Sequence, residues 1–337
     1  MKDMDVEKKV VRLSPLHAVV FACIFQSEKK SGPAMLEFLN AILQHVGEEP
    51  IVEIISMKSE YSILGESAGQ KYGRLDVRVK AESGRLFDIE VQIEKDFMNE
   101  RGYFYGGRLG EDEFEPGMPY SKMPEVRVIN IVDFYVRGTR KSAKTGAAAD
   151  GKTKRSNTVE EPPIVEPVVL TYQNHPGEIA TDKFKMYHIQ LPAFRKKYKT
   201  LESVQGDTLF SWLYTLDRGY QNPEEMEALS DMSEGLRNFA RQYNYAINDP
   251  ELIRRYRMIE DGKRDVATKI AAAERRGERR GERRGERRGE RRGERRGERR
   301  GRDAMNRENA RRMKDRGFSA EDIAAITGIS AHDVIAL

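Results

Sequence analysis

Asp76, Glu90 and Gln92 are the residues whose types and spacing point most directly to chemistry. Asp76 lies in Arg74-Leu-Asp-Val-Arg-Val-Lys80, and Glu90 and Gln92 lie in Arg85-Leu-Phe-Asp-Ile-Glu-Val-Gln-Ile93. Both segments alternate. Leu75, Val77 and Val79 share one side of the first, and Phe87, Ile89, Val91 and Ile93 share one side of the second, the period of a strand with one buried face. Between them Glu82-Ser83-Gly84 is a three-residue hairpin loop with Gly where positive φ is commonly required. The loop sets Leu75 against Val91, Val77 against Ile89 and Val79 against Phe87, and a slip of one residue would break that apolar match. The same register puts Asp76 directly opposite Glu90, with Cβ atoms about 4.5–5.5 Å apart. Two carboxylates that close repel unless a cation sits between them. With Gln92 two residues along the same face, the set offers hard oxygen donors for a divalent cation, Mg²⁺ being the natural candidate. Lys80 shares that face of the first strand. The alternative is a solvated polar face of an antiparallel hairpin, and the hairpin alone leaves both readings open.

The elements that must hold this hairpin emerge from apolar periodicity. Helical spacing runs from Pro15 to Leu43, with Ser31-Gly32-Pro33 read as the break between two helices. Ile51 to Met57, Val126 to Val136, Val168 to Tyr172 and Lys185 to Leu191 read as strands. Phe97 to Leu109 reads as a helix weakened by Gly106-Gly107, and 200–217, 222–246 and 250–273 read as helices. Residues 138–165 are rich in Gly, Ala, Lys, Ser and Pro and read as a flexible insertion. At the C-terminus Ser319 and Ser330 are N-cap candidates for two short helices separated by Thr327-Gly328, a helix-turn-helix-like pair. Its second helix carries no Arg or Lys, which argues against strong base readout.

The charge is unevenly divided. The chain has 337 residues and a net charge of +4, but residues 274–301 are seven copies of Glu-Arg-Arg-Gly holding 14 Arg and 7 Glu. That array alone is +7, so the remaining 309 residues sum to −3, and the basic balance of the whole chain says nothing of the body. Without an apolar residue, and with a helix-weakening Gly in each unit, the array reads as a solvated spacer, with a phosphate-binding arm as the alternative. The one cysteine, Cys23, excludes an intrachain disulfide framework and a Cys-based zinc site. No apolar run reaches the roughly 20 residues of a spanning helix, and no cleavable leader is evident, so a cytoplasmic protein is expected. His17 sits in an apolar helical stretch, and His45, His175, His188 and His332 share no ligand spacing.

The order and spacing of these segments resemble the PD-(D/E)XK nuclease superfamily, and within it the recombination-promoting nuclease / putative transposase family. The resemblance runs from Leu13-Ser-Pro15 through Leu36-Glu-Phe-Leu-Asn-Ala-Ile-Leu43, Arg74-Leu-Asp-Val77 and Ile89-Glu-Val-Gln92. It continues in the helix with Phe97, Arg101 and Tyr105, then Val128-Ile-Asn-Ile-Val-Asp-Phe134, Met186-Tyr-His-Ile-Gln-Leu191 and Trp212-Leu-Tyr214. It implies an α/β, restriction-endonuclease-like core with a mixed central sheet flanked by helices and followed by a helical C-terminal region. The implied activity is Mg²⁺-dependent (or other divalent-cation-dependent) DNA cleavage, with DNA as partner. Asp76 and Glu90 take the positions of the motif acids, and Gln92 that of the superfamily lysine; Lys80 is a candidate for the missing cation. The implied organisation is a nuclease-like domain over 13–220, a helical region over 221–273, the repeat linker over 274–301 and a small tail over 302–337. One departure stands out: the family's first helix carries an acid and a base where this chain has Ala18 and Ala22. Glu66 is the nearest substitute carboxylate, though no spacing demands it. A catalytically degenerate copy acting as a DNA-binding or interaction module is therefore the second reading, and a homo-oligomer is among the partners considered.

Overall fold

The structure, a computed structural model, describes residues 12–59, 77–93, 98–137, 141–145, 155–159 and 161–337. The chain divides into two compact units, Met1–Ile259 and Glu260–Leu337.

The first unit opens with α1 (Ala18–Ile24) and α2 (Glu28–His45). The chain breaks at Phe25–Ser27, not at Ser31-Gly32-Pro33 as the composition suggested. Ser31 only kinks α2, with φ −126° and ψ 16°. Pro33 lies two residues past that kink, where a new helical turn begins and a missing N–H costs little. Strands β1 (Ile54–Ser59), β2 (Val77–Ala81) and β3 (Leu86–Gln92) come next, then α3 (Met98–Asp112) and β4 (Val126–Val132). Within the 138–165 segment, β5 (Lys141–Thr145) and β6 (Arg155–Val159) pair antiparallel as a separate two-stranded sheet. The main sheet is completed by β7 (Val165–Val169) and β8 (Phe184–Gln190).

That sheet has six strands in the order β1-β2-β3-β4-β8-β7 and is mixed. Strands β3, β4 and β8 run parallel at its centre, and the outer pairs are antiparallel. The β2–β3 register is the one the apolar match demanded: Val77 faces Ile89, Val79 faces Phe87, and Gly84 turns the hairpin with φ +81°. Strands β3 and β4 are buried along nearly their whole length, as expected for central parallel strands covered on both faces.

The odd-numbered residues of β2, β3 and β4, with Tyr187 and Ile189 of β8, face the main core. There they meet α1, α2, α5 (Thr208–Asp217) and α7 (Glu234–Ile247). Helices α4 (Leu191–Lys197) and α6 (Pro223–Met232) flank them. Trp212 is fully buried between Phe38 and Phe239, and Glu37 accepts its indole N–H at 3.0 Å. The opposite face carries Leu86, Val126, Val128 and Met186 and is covered by α3 through Leu109.

Helix α3 lies close to the sheet because its inner stripe is glycine. A Cβ on Gly102 would sit 2.5 Å from Met186 Sδ, and one on Gly106 would sit 2.5 Å from Phe184 Cε2 and 2.7 Å from Val128 Cγ2. The Gly106-Gly107 pair that weakens the helix in isolation is what lets half of it approach.

Helix α8 (Pro250–Asp315) begins in the first unit and continues through the whole Glu-Arg-Arg-Gly array. In the second unit α9 (Ala320–Thr327) and α10 (Ala331–Ile335) fold back on its end, burying Ala310, Ile323 and Val334 together. Ser319 and Ser330 cap these two helices as expected, accepting from the Asp322 and Asp333 amides, and Gly328 closes α9 in the left-handed conformation. No described helix is long and apolar enough to cross a membrane.

Candidate active site

Glu90 stands on β3 on the face that α3 covers, and only 6% of it is exposed. Its register neighbour on β4 is Asn130, and the next in the same row, on β8, is His188. All three are buried. A row of polar side chains crossing three central strands adjoins the apolar layer of Leu86, Val126, Val128 and Met186. Buried polar groups are retained only where they are partnered or used.

The first turns of α3 supply the partners. Arg101 Nη2 donates to Glu90 Oε1 in a close ion pair, and the Arg101 guanidinium also lies over the Tyr105 ring, 5.8 Å from its centroid. Asn99 Oδ1 is 2.9 Å from His188 Nε2, and Asn130 Nδ2 is 3.3 Å from His188 Nδ1. An amide NH₂ can only donate, so Nδ1 accepts and Nε2–H donates to Asn99. His188 is thereby fixed as one neutral tautomer, and burial pulls its pKa down to about 4. Asn130 Oδ1 has no hydrogen-bond partner among the described residues.

Gln92 lies two residues beyond Glu90 on the same face and is half-buried at the strand end, where its carbonyl accepts from the Asp133 amide at 3.1 Å. Lys80 is elsewhere. It faces Leu86 across the hairpin and pairs with Glu113 at 2.5 Å, so the structure does not bring it to Glu90. Four residues of strand, about 13 Å, separate the two rows. Among the described residues, the cation beside Glu90 is Arg101. Asp76 and Glu66 lie outside the described residues. Ala22 is buried, its carbonyl accepting from Ser59 Oγ at 2.8 Å, so α1 presents no polar side chain at that position.

Sequence reasoning missed Asn130, His188 and Asp88, a buried carboxylate on the same face of β3. The signal was present: each is a polar residue in a central strand whose neighbours are mostly apolar. It became legible only when the parallel register aligned Asn130 and His188 with Glu90.

A second charged cluster sits on the main-core face, at the start of β4 and β8. Arg127, 3% exposed, donates through Nε to both carboxylate oxygens of Glu48, at 3.0 and 2.8 Å. Lys185 and Tyr187 reach the same carboxylate at 2.8 and 2.6 Å. Burial alone would raise the Glu48 pKa; the hydrogen bonds from Arg127, Lys185 and Tyr187 outweigh it and hold the value at about 2. Every group here is matched by a partner in the fold, which marks the cluster as structural.

Among the described residues no three His, Cys, Asp or Glu side chains converge as a metal site. The described part of the Glu90 row does offer a carboxylate and an unpartnered amide oxygen on adjacent strands, both hard donors, which fit a hard divalent cation or its bound water.

Residues 15–155 match the model of a family described as PD-(D/E)XK nuclease family transposase. The match spans α1 to the start of β6 and includes Asp76, Lys80, Glu90, Gln92, Arg101 and Asn130; His188 lies beyond it. The mixed six-stranded sheet with flanking helices and a helical C-terminal region is consistent with a PD-(D/E)XK nuclease-like fold. No curated protein and no solved structure matches the chain.

Proposed function

On the premise that residues 15–155 are a segment of the PD-(D/E)XK nuclease and transposase type, we propose that this chain is a metal-dependent DNA endonuclease. The observation that carries this is the buried Glu90, set on a central strand in line with the orphaned Asn130 oxygen. The described β2–β3 register is the one that sequence reasoning used to set Asp76 opposite Glu90, so Asp76 remains the partner acid in this reading. Asp76 and Glu90 would hold the divalent cation, Mg²⁺ by the hardness of the donors. Such a cation would supply polarisation of the scissile phosphate and a lowered pKa of the attacking water. Gln92 orients that water through its amide; it has no charge and no titratable proton to act as a base. Arg101, paired with Glu90, would place a cation within reach of a substrate phosphate. Cytoplasmic work on DNA in recombination, at mobile elements or in phage defence is compatible with this chemistry, as a monomer or a homo-oligomer.

The second reading is a nuclease-fold protein that binds DNA without cutting it. Ala18 and Ala22, and the ion pair that already satisfies Glu90, favour it. Supercoiled plasmid with Mg²⁺ separates the two. Nicking that disappears in Asp76→Ala and in Glu90→Gln, each still folded by circular dichroism at the assay temperature, is the expected result. Nicking that survives either substitution would remove the site assignment. A gel shift with no nicking would establish the second reading.

A further inference from the structure

We propose that the Glu-Arg-Arg-Gly array is a grip for the phosphate backbone of duplex DNA, presented as a continuous arginine face. The proposal does not depend on cleavage.

Residues 274–301 are helical throughout and exposed throughout. At about 100° per residue, a four-residue repeat keeps each residue type in its own row along the helix. The two Arg rows are adjacent, flanked by the Glu row beside the first and the Gly row beside the second. Glycine leaves its flank bare: a Cβ at any glycine from Gly277 to Gly301 would meet nothing within 4 Å. Ion pairs occur on either side of the array, Arg264 with Asp261 and Arg312 with Glu308, but none within it. No guanidinium of the array pairs with a carboxylate among the described residues, although the first Arg of each unit but the last has a Glu three residues on, as Arg275 has Glu278. The composition suggested a solvated spacer; the helical phase instead gathers the arginines into two neighbouring rows, with the glutamates confined to one flank.

The chemistry of the array selects the partner. It contains only Glu, Arg and Gly, so it has no apolar face to enter a bilayer and no aromatic ring on which single-stranded bases stack. The arginine face also winds by about 40° per repeat, which turns it away from any flat anionic surface within a few units. The major groove of B-form DNA admits an α-helix and lines it with phosphates on both walls, so a winding face stays within reach of one wall or the other. The deep, narrow major groove of A-form RNA does not admit side chains this way. Arg–Arg neighbours at i,i+4 destabilise the free helix, so neutralisation by phosphate should also raise its helicity.

The test uses full-length protein in EDTA with a 30-bp DNA duplex of arbitrary sequence, read by fluorescence anisotropy over a salt series. Each phosphate contact contributes about 0.9 to the slope of log affinity against log salt, so deleting residues 274–301 should flatten the slope by about 3 to 6. A second variant rearranges the same 14 Arg, 7 Glu and 7 Gly so that no arginine row persists. It should lose at least half of that slope difference while its net charge is unchanged. An unchanged slope in the deletion, or a rearranged array that binds as the native one does, would overturn the proposal. So would tighter binding to duplex RNA or to phosphatidylserine vesicles. Binding is read in EDTA, where metal-dependent cleavage cannot occur, so failure of the cleavage reading is seen separately in the plasmid assay.

Discussion

His188 and Glu48 are buried groups whose titration acts on folding in two separate windows of pH. Burial depresses the His188 pKa from 6.5 to about 4, so the unfolded chain takes the proton first. Stability is full above pH 6.5 and falls as pH drops towards 4, by up to about 3 kcal/mol. Glu48 is depressed from 4.5 to about 2, so its contribution is present above 4.5 and is lost between 4.5 and 2. Urea titrations at pH 7, 5 and 4 should therefore show His188→Gln less stable than the unaltered protein at pH 7 but losing less on acidification. Parallel losses in both would mean that His188 does not govern that window. In the sequence His188 was an isolated histidine with no ligand spacing. Its role depends on Asn99 and Asn130, from two other elements, and no linear pattern reports that triangle. Glu90 was legible because its neighbours alternate; Lys80 was misplaced because sharing a face says nothing of distance along the strand.

Helix α3 is the element that converts an apolar layer into a site, and its glycines decide how close it comes. Gly106 and Gly107 are neighbours with opposite surroundings. Ala at 107 meets open space and should stabilise by up to about 1 kcal/mol through helix propensity. Ala at 106 gains the same propensity but drives a methyl into Phe184 and Val128, and overpacking of this kind costs about 1–3 kcal/mol. Gly107→Ala should raise the melting temperature and Gly106→Ala should lower it and weaken any cleavage, because Arg101 rides on the same helix. Equal effects at the two positions would refute the close packing. The glycine pair was visible in the sequence as a weakness; that only one of the two faces the sheet is a property of helical phase against β4 and β8. The same limit applies to the break before α2. Ser-Gly-Pro has the composition of an interruption, yet the chain turns several residues earlier at Gln26 and Ser27, where tertiary packing of Phe25 ends α1. The hairpin, by contrast, was readable to the residue, since a period of two and a positive-φ glycine leave one register.

At the scale of the molecule, the first unit includes more of the C-terminal helical region than composition suggested. Leu252 is fully buried in the main core, and Tyr256 and Ile259 pack against it. A chain ending at Ile259 should melt within about 2 °C of the full-length protein. One ending at Asp249 loses about 3 kcal/mol of apolar burial and should melt about 6–12 °C lower. If both truncations melt alike, α8 contributes nothing to that core. Beyond Ile259 the sequence was legible in its parts, the array and the two capped helices, because repeats and Ser N-caps are local signals; the continuity of α8 was not, because helix propensity and like-charge spacing both argue against it. The array also has a genetic consequence. Every unit is four codons long and meets only copies of itself, so replication slippage that adds or removes whole units leaves the reading frame and both flanking folds intact. Each such event lengthens or shortens the helix by about 6 Å and changes its phase at the far end by about 40°. Array length is thus a quantity that inheritance can vary in steps, without any substitution in the folded parts of the protein.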